Sequence, residues 1–190
     1  LTPGFNQDLG FRYITIPGGR FNTVPWLSWS PTGDRLAFIA RFGKSKGVVI
    51  QEVVTKKVVQ RIDLPTVDEP ESPCFSPDGK SIVFSALQNA KSDIFTVTLA
   101  TGQVTNLTQD QFYNYGPVFS PDGQSVVYLA RISGNEKLFR LDLSSKKRTQ
   151  ITFGTHDDSA ARFPDENMIV FSSTAVDPAQ AIDPEVAKQS

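Results

Sequence analysis

The stretch that decides the fold is Phe75-Ser76-Pro77-Asp78-Gly79-Lys80-Ser81-Ile82-Val83-Phe84, because copies of it recur along the chain. Its proline presets φ at the second position of a turn, its Asp side chain can bond to nearby backbone, and its glycine accepts the left-handed conformation. The aliphatic and aromatic residues that follow are typical of a strand. The stretch therefore predicts a hairpin turn between two strands.

Three further copies of this template occupy residues 29–38, 119–128 and, in a weaker form, 163–171. The four turn prolines are separated by 46, 44 and 43 residues, which is close to the length of one four-stranded propeller blade. In the fourth copy Glu166 replaces the glycine and no serine precedes Pro164, so we expect that hairpin to be the least regular. The residues to which we assign a structural role in the turns are Pro31, Gly33, Pro77, Asp78, Gly79, Pro121, Asp122 and Gly123.

Between successive turns lie three more strand-like runs, which predict strands b, c and d after a short inner strand a. The sequence thus predicts an all-β propeller of four-stranded antiparallel blades, with three full blades and a partial blade at each end. We expect the tail to be a loop because Pro178 and Pro184 interrupt it. The expected units are an N-terminal segment with one outer strand (1–24), blade 1 (25–66), blade 2 (67–110), blade 3 (111–154), the first two strands of blade 4 (155–174) and the tail (175–190).

The strand-like run 11–16 can contribute to the unfinished fourth blade in two ways. We prefer to assign it as outer strand d, because residues 14–17 (Ile-Thr-Ile-Pro) match residues 62–65 (Ile-Asp-Leu-Pro). If it were strand c and residues 20–24 were strand d, the link to the next inner strand would hardly cross a blade. On the preferred assignment a strand c is still missing. We therefore expect a portion of a larger propeller whose open edges can self-associate, with a closed four-bladed ring as the alternative.

Composition narrows the class of protein. The chain has 190 residues, 19 Lys and Arg against 20 Asp and Glu, and 39% apolar residues, which is typical of a globular protein. No apolar run approaches the ~18 residues of a membrane-spanning helix, so we expect no membrane insertion. The net charge of −1 argues against a nucleic-acid partner. The single cysteine, Cys74, excludes an internal disulfide, and its place on an inner strand predicts a buried structural side chain.

The repeated pattern Phe/Trp-Ser-Pro-Asp/Thr-Gly, followed by an Ile-Val-Phe type strand, resembles the propeller repeats of the TolB-like family. The similarity covers residues 27–173. Relatives of this repeat also form the propeller of prolyl-oligopeptidase and dipeptidyl-peptidase type enzymes, so the motif is specific for fold and weak for function. The resemblance implies a bacterial envelope protein, typically periplasmic, that acts by protein contact rather than by chemistry.

The connections from strand d to the next strand a emerge on one face of a propeller, and here they are rich in carboxylates. We expect these groups and two tyrosines to form a channel mouth that receives a basic peptide, a partner loop or a divalent cation. The turns of the opposite face carry mainly Lys and Arg, so the disc should be dipolar; the alternative is that both sets of charges only solubilise the surface. The candidate residues are Asp68, Glu69, Glu71, Asp110, Tyr113, Tyr115, His156, Asp157 and Asp158.

No catalytic residue follows from the sequence. Residues 43–47 satisfy the Gly-x-Ser-x-Gly pattern of hydrolase nucleophiles, but they lie between two predicted strands with no helix after them. We therefore predict a non-enzymatic protein- or peptide-binding scaffold of a bacterial cell envelope, without a cofactor. The alternatives are the accessory propeller of a larger peptidase and a small-ligand or carbohydrate-binding propeller whose pocket contains Trp26, Tyr113 and Tyr115.

Overall fold

The computed structural model describes residues 11–13 and 27–188, which form four antiparallel sheets followed by two short helices. Sheet 1 consists of β1 (Phe11–Tyr13), β2 (Leu27–Trp29), β3 (Arg35–Phe42), β4 (Ser45–Glu52) and β5 (Val58–Asp63). Sheet 2 consists of β6 (Asp68–Phe75), β7 (Ser81–Gln88), β8 (Lys91–Thr98) and β9 (Val104–Asn106). Sheet 3 consists of β10 (Tyr113–Phe119), β11 (Ser125–Ile132), β12 (Asn135–Asp142) and β13 (Arg148–Gln150). Sheet 4 consists of β14 (Asp158–Asp165) and β15 (Met168–Ser173), and the helices are α1 (Pro178–Ile182) and α2 (Pro184–Ala187).

The sheets pack side by side in chain order and form an open arc of propeller blades, which confirms the predicted fold class. In sheets 1, 2 and 3 the strand before the Ser-Pro turn takes position a and the strands that follow take positions b, c and d, while in sheet 4 β14 takes position a and β15 position b. The arc is not closed, so the alternative of a closed four-bladed ring is wrong. Sheet 4 contains only strands a and b within the described residues.

A buried serine hydroxyl closes the turn between strands a and b. In sheet 3, Ser120 Oγ accepts a hydrogen bond from Ser125 N at 2.9 Å and donates to Asp122 Oδ1 at 2.5 Å. Gly123 N donates to Ser120 O at 2.9 Å, and Gly123 has a φ of 70°, the left-handed conformation predicted for it. Ser76 makes the same bonds in sheet 2, where its hydroxyl accepts from Ser81 N at 2.9 Å. The template is therefore a hydrogen-bonded unit.

The first and fourth turns have different hydrogen bonds from this unit. In sheet 1, Ser30 Oγ donates to Asp34 at 3.0 Å, because the aspartate follows the glycine instead of preceding it. In sheet 4 only Glu166 and Asn167 separate the two strands, and Asp165 Oδ1 accepts from Asn167 N at 2.8 Å. Neither of these two residues has a positive φ. The fourth hairpin is thus built differently, as its missing serine and glycine indicate.

The core lies between neighbouring sheets. Sheets 1 and 2 bury Ile50 and Ile62 against Phe84 and Phe95, and sheets 2 and 3 bury Ile94 against aromatic residues of the third sheet. At the inner edge, the hydroxyl of Ser28 accepts a hydrogen bond from Phe75 N at 3.0 Å, which joins two blades directly. The turns of successive blades also touch, since the Pro31 ring lies beside Gly79 and the Pro77 ring beside Gly123.

The N-terminal strand does not occupy the outer position that we preferred for it. Residues 11–13 pair antiparallel with residues 40–42 of β3, on the same edge that β2 uses, so this assignment is wrong for them. The physical reason is length: β3 has eight residues and β2 only three, which leaves open edge for a second strand. Residues 14–16 and 20–24 of the two alternatives lie outside the described residues.

The tail is also not a loop. Asp177 and Asp183 cap α1 and α2, accepting hydrogen bonds from Ala179 N at 2.9 Å and Glu185 N at 2.8 Å. Pro178 and Pro184 stand in the first turn of each helix, where the missing N–H costs nothing, so the prolines start helices that we expected them to prevent. The described residues include no helix with the length and apolar character needed to cross a membrane.

The turn serine gives the first prediction. Replacing Ser120 by Ala leaves Ser125 N without its buried acceptor and frees the Asp122 carboxylate, so we expect a loss of about 1–2 kcal/mol in the free energy of unfolding. Urea unfolding followed by tryptophan fluorescence measures it. Ser45→Ala, at the exposed start of β4, is the matched control and should change stability by less than about 0.5 kcal/mol. Equal effects of the two substitutions would contradict the role given to the hydroxyl.

Candidate functional site

The candidate residues lie at one end of the sheets, which we call the loop face. It comprises the d-to-a connections 64–67, 107–112 and 151–157, and, because the strands are antiparallel, the b-to-c hairpins around residues 43–44, 89–90 and 133–134. Sequence reasoning considered only the first set. The hairpins bring basic side chains to the same face, so the loop face has mixed charge and the dipolar-disc interpretation is wrong there. These basic residues are Arg41, Lys44, Lys46, Lys91 and Arg131.

Three of the predicted carboxylates are engaged in ion pairs. Asp68 Oδ1 lies 2.7 Å from Lys46 Nζ, Asp110 Oδ2 lies 2.5 Å from Arg148 Nη1, and Asp158 Oδ2 lies 3.0 Å from Lys137 Nζ. The three pairs differ in burial. The side chain of Asp68 is 75% exposed and that of Asp110 is 20% exposed, whereas that of Asp158 is 0% exposed. The pairs therefore range from a surface contact to a fully desolvated one.

Asp110 organises the connection between sheets 2 and 3. Its Oδ1 accepts hydrogen bonds from Phe112 N and from Asn114 Nδ2, both at 2.8 Å. Its partner Arg148 starts strand β13, and its guanidinium carbon lies over the Phe139 ring, 3.8 Å from the ring centroid. The sequence places Arg148 after a turn of the opposite face, and only its long side chain brings the charge back to Asp110. This pair joins blades across 38 residues of sequence.

Asp158 is a structural residue beneath the loop face. Lys137 Nζ donates to its carboxylate and to the backbone oxygen of His156, so the lysine holds the end of this connection where the chain enters β14. Lys137 pairs with Ala130 in the sheet, as Asp93 pairs with Ala86 in sheet 2 and Gly47 with Ala40 in sheet 1. The same strand position thus carries a glycine in sheet 1, an anion in sheet 2 and a cation in sheet 3.

An aromatic pair remains accessible on the loop face. Tyr113 and Tyr115 alternate along β10, so both side chains point to the same side of the strand, and their ring centroids are 5.8 Å apart at an angle of 55°. Tyr113 is 50% exposed. Two carboxylates of the same face, Glu69 and Asp157, are exposed as well. Of the predicted mouth residues, these four are the ones best placed to contact a partner.

Glu71 differs from the other carboxylates because it is half-buried and has no basic partner. Ser85 Oγ lies 3.4 Å from its Oε1, which is a weak contact. Burial, opposed by this contact and assisted by nearby Glu69, raises the pKa of Glu71 above its ordinary value of 4.5. No sequence pattern distinguishes this glutamate from its exposed neighbours.

Metal and thiol chemistry find no support in the described residues. Nowhere in 11–13 or 27–188 do three or more His, Cys, Asp or Glu side chains gather in a way that could hold a metal ion, so the divalent-cation alternative gains no site. Cys74 lies on inner strand β6, where burial raises the pKa of its thiol. It corresponds to Ser28 of the preceding blade, and its Sγ donates to the backbone oxygen of Phe75 at 3.5 Å. Trp26 lies outside the described residues.

With this geometry established, comparison with known proteins identifies the family. The family model described as "TolB beta propeller domain" matches residues 21–189. The chain belongs to the TolB β-propeller domain family. Among curated members, the Tol-Pal system protein TolB of Francisella tularensis subsp. holarctica is 32% identical over 108 residues, which is 55% of this chain and 23% of that protein.

Solved structures agree on the fold of this family member. The crystal structure of TolB from Acinetobacter baumannii superposes with a TM-score of 0.64 at 20% identity, covering 83% of this chain and 42% of that one. An oligogalacturonate lyase in complex with manganese superposes with a TM-score of 0.57 at 17% identity, covering 76% of this chain and 44% of that one. At such identities the likeness shows the fold alone. The chain spans less than half the length of these structures and less than a quarter of the curated relative.

The burial of the three ion pairs predicts an order of stability effects. Asp158→Asn leaves Lys137 buried without its counter-charge and should cost about 3 kcal/mol or more in the free energy of unfolding. Asp110→Asn removes a partly buried charged pair and should cost about 1–2 kcal/mol. Asp68→Asn, the exposed control, should cost less than about 1 kcal/mol. Urea unfolding of the three variants measures the order, and equal costs would refute the structural role of Asp158.

Glu71 gives a prediction about pH. Because its pKa is raised in the folded chain, the folded state keeps the proton at pH values where the unfolded state has lost it. Its contribution is therefore present below its ordinary pKa of 4.5 and is lost as pH rises through the raised value. We expect the stability of the natural chain, relative to Glu71→Gln, to fall as pH rises above about 4.5. Urea midpoints at several pH values test this, and parallel pH profiles would refute it.

Proposed function

We propose that the chain is a non-enzymatic protein- or peptide-binding propeller that works in a bacterial cell envelope, in the periplasm. One observation carries the proposal. On the loop face Asp110 and Asp158 are committed to ion pairs inside the fold, whereas Tyr113 is 50% exposed and its ring packs beside the Tyr115 ring. Such a surface suits recognition better than catalysis.

Tyrosine is well suited to a protein contact because its ring buries a large area at low entropic cost while its hydroxyl stays hydrated. The exposed carboxylates Glu69 and Asp157 favour a peptide that carries basic residues. An active site would need titratable side chains that lie close together and are free to bind or react with a substrate. Asp110 and Asp158 are instead held by Arg148 and Lys137, which supports the binding role.

The envelope location is supported by family membership and by the curated relatives, which are named as components of the Tol-Pal system. An accessory propeller of a larger peptidase and a carbohydrate-binding propeller share this fold. No observation on the loop face favours either one. The experiment below therefore distinguishes both of these functions from peptide binding.

The experiment selects binders from a random peptide library displayed on phage, with the purified chain as bait. We expect peptides enriched in Lys or Arg, and we expect Tyr113→Ala to weaken their binding at least tenfold in fluorescence anisotropy. Trp29→Ala, which removes an equally exposed ring from β2, is the matched control and should leave affinity unchanged.

The salt dependence of the peptide affinity provides a second test. From about 0.1 M to about 1 M NaCl the Debye length shrinks from about 10 to about 3 Å, so binding that uses Glu69 and Asp157 should weaken. The double variant Glu69→Gln, Asp157→Asn should lose this salt dependence. If neither Tyr113→Ala nor the double variant changed the affinity for the peptides, the proposed site would be refuted. Peptide cleavage by the purified chain, or binding of oligosaccharides in place of peptides, would refute the proposed function.

A further inference from the structure

The sheets of this chain resemble one another closely enough that a wrong neighbour could take the place of the right one. The turn prolines of sheets 2, 3 and 4 are 44 and 43 residues apart, and sheets 2 and 3 close their turns with the same serine bonds. Phe84 stacks on Phe95 in sheet 2 as Tyr128 stacks on Phe139 in sheet 3. Chains built from similar units are prone to misassembly and to the exchange of units between copies.

One level of the blades departs from this similarity, the level of the ninth residue after each turn proline. The strand c residue paired with that position is Asp93 in sheet 2 and Lys137 in sheet 3. The strand a residue paired with it is Asn114 in sheet 3 and Asp158 in sheet 4. All four residues are buried. The charges at this level therefore differ from one sheet to the next, inside the protein.

At this level strand c of one sheet meets strand a of the following sheet. Between sheets 3 and 4, Lys137 Nζ lies 3.0 Å from Asp158 Oδ2, and the two side chains are only 3% and 0% exposed. Between sheets 2 and 3, Ser92, the neighbour of Asp93 in the chain, donates from its Oγ to Asn114 O at 2.7 Å. A cation thus meets an anion at one interface, whereas the interface before it places a neutral residue next to the anionic strand.

A wrong order of sheets would bring like charges together. Asp93 accepts hydrogen bonds from Asn106 Nδ2 at 2.9 Å and from Thr108 Oγ1 at 2.6 Å, so it is satisfied beside a neutral residue. If sheet 4 packed against sheet 2, the Asp158 carboxylate would meet the Asp93 carboxylate. Like charges repel much more strongly in a buried site than at the surface. Among the sheets that the structure describes, only sheet 3 offers a cation to sheet 4 at this level.

We propose that Lys137 and Asp158 form a selective ion pair, which allows sheet 4 to pack beside sheet 3 and excludes it from sheet 2 of the same chain or of another copy. The pair acts by penalising the wrong neighbour, which is how charges commonly provide specificity. Its role is therefore the order of the blades during folding rather than added stability, since apolar residues often replace a buried ion pair without loss of stability. This role is independent of the function proposed for the loop face.

The charge-reversed variant Lys137→Asp, Asp158→Lys tests the selectivity. It keeps an ion pair between sheets 3 and 4, but it gives sheet 4 a cation that also matches Asp93 of sheet 2. Each protein is unfolded in urea, refolded by dilution, and compared with its own never-unfolded sample by size-exclusion chromatography with light scattering. We expect the natural chain to regain its starting size distribution. The reversed variant should lose about half or more of this recovery, and the loss should grow with protein concentration.

Two further variants separate selectivity from stability. Adding Asp93→Asn to the reversed variant removes the match between sheets 2 and 4, so it should restore the recovery although it introduces another buried substitution. Lys46→Asp with Asp68→Lys makes the same reversal in the more exposed pair between sheets 1 and 2. This matched control should refold like the natural chain. Urea midpoints of all the proteins are measured in parallel.

If the reversed variant does not fold, Lys137→Met with Asp158→Leu takes its place, because an apolar pair can preserve stability. We expect the same loss of recovery from it, at an unchanged urea midpoint. Recovery equal to that of the natural chain in the variant used would overturn the proposal. A recovery that follows the urea midpoint across all the proteins, or no gain from Asp93→Asn in the reversed variant, would overturn it as well.

Discussion

The hydroxyl group of the turn serine is the contact from which the blade geometry follows. It is buried, it accepts the first backbone N–H of strand b, and it donates to a carboxylate of the same turn. The hydrogen bond from Ser76 Oγ lowers the pKa of Asp78, and that from Ser120 Oγ lowers the pKa of Asp122, so both carboxylates stay ionised as acceptors. The end of strand a is thereby held against the start of strand b in both sheets.

This constraint acts at a distance because each inner strand also touches the next. Ser28 and Cys74 occupy the same place in successive blades. The Ser28 hydroxyl accepts from Phe75 N of the following inner strand, and the Cys74 side chain packs in the core between sheets 2 and 3. The rings of Pro31 and Pro77 rest beside the glycines of the following turns. These contacts fix how the inner edges of the sheets lie against each other. Because the a-to-b turns are at the opposite end of the sheets, they also set the relative positions of the connections on the loop face.

The local elements could be predicted from the sequence because their chemistry is contained in adjacent residues. The Ser-Pro-Asp-Gly turn needs only its own side chains, and the b and c strands follow from alternation. The tail escaped prediction because proline was judged as a helix breaker, whereas Asp177 and Asp183 make it a helix starter. The N-terminal strand escaped because nothing local reveals that β2 leaves half of the β3 edge unpaired.

The candidate site was only partly predictable, for a reason that concerns repeats in general. Turn residues repeat because every blade needs the same backbone path, but the third position of strand c is free to hold Gly47, Asp93 or Lys137. Each choice needs its own partner from the next connection. Asp93 accepts from Asn106 and Thr108, and Lys137 binds Asp158. Whether a carboxylate of the loop face is exposed or buried thus depends on a residue about twenty positions away. A periodic pattern identifies the fold, while the pairing of its variable positions decides which charges remain for a partner.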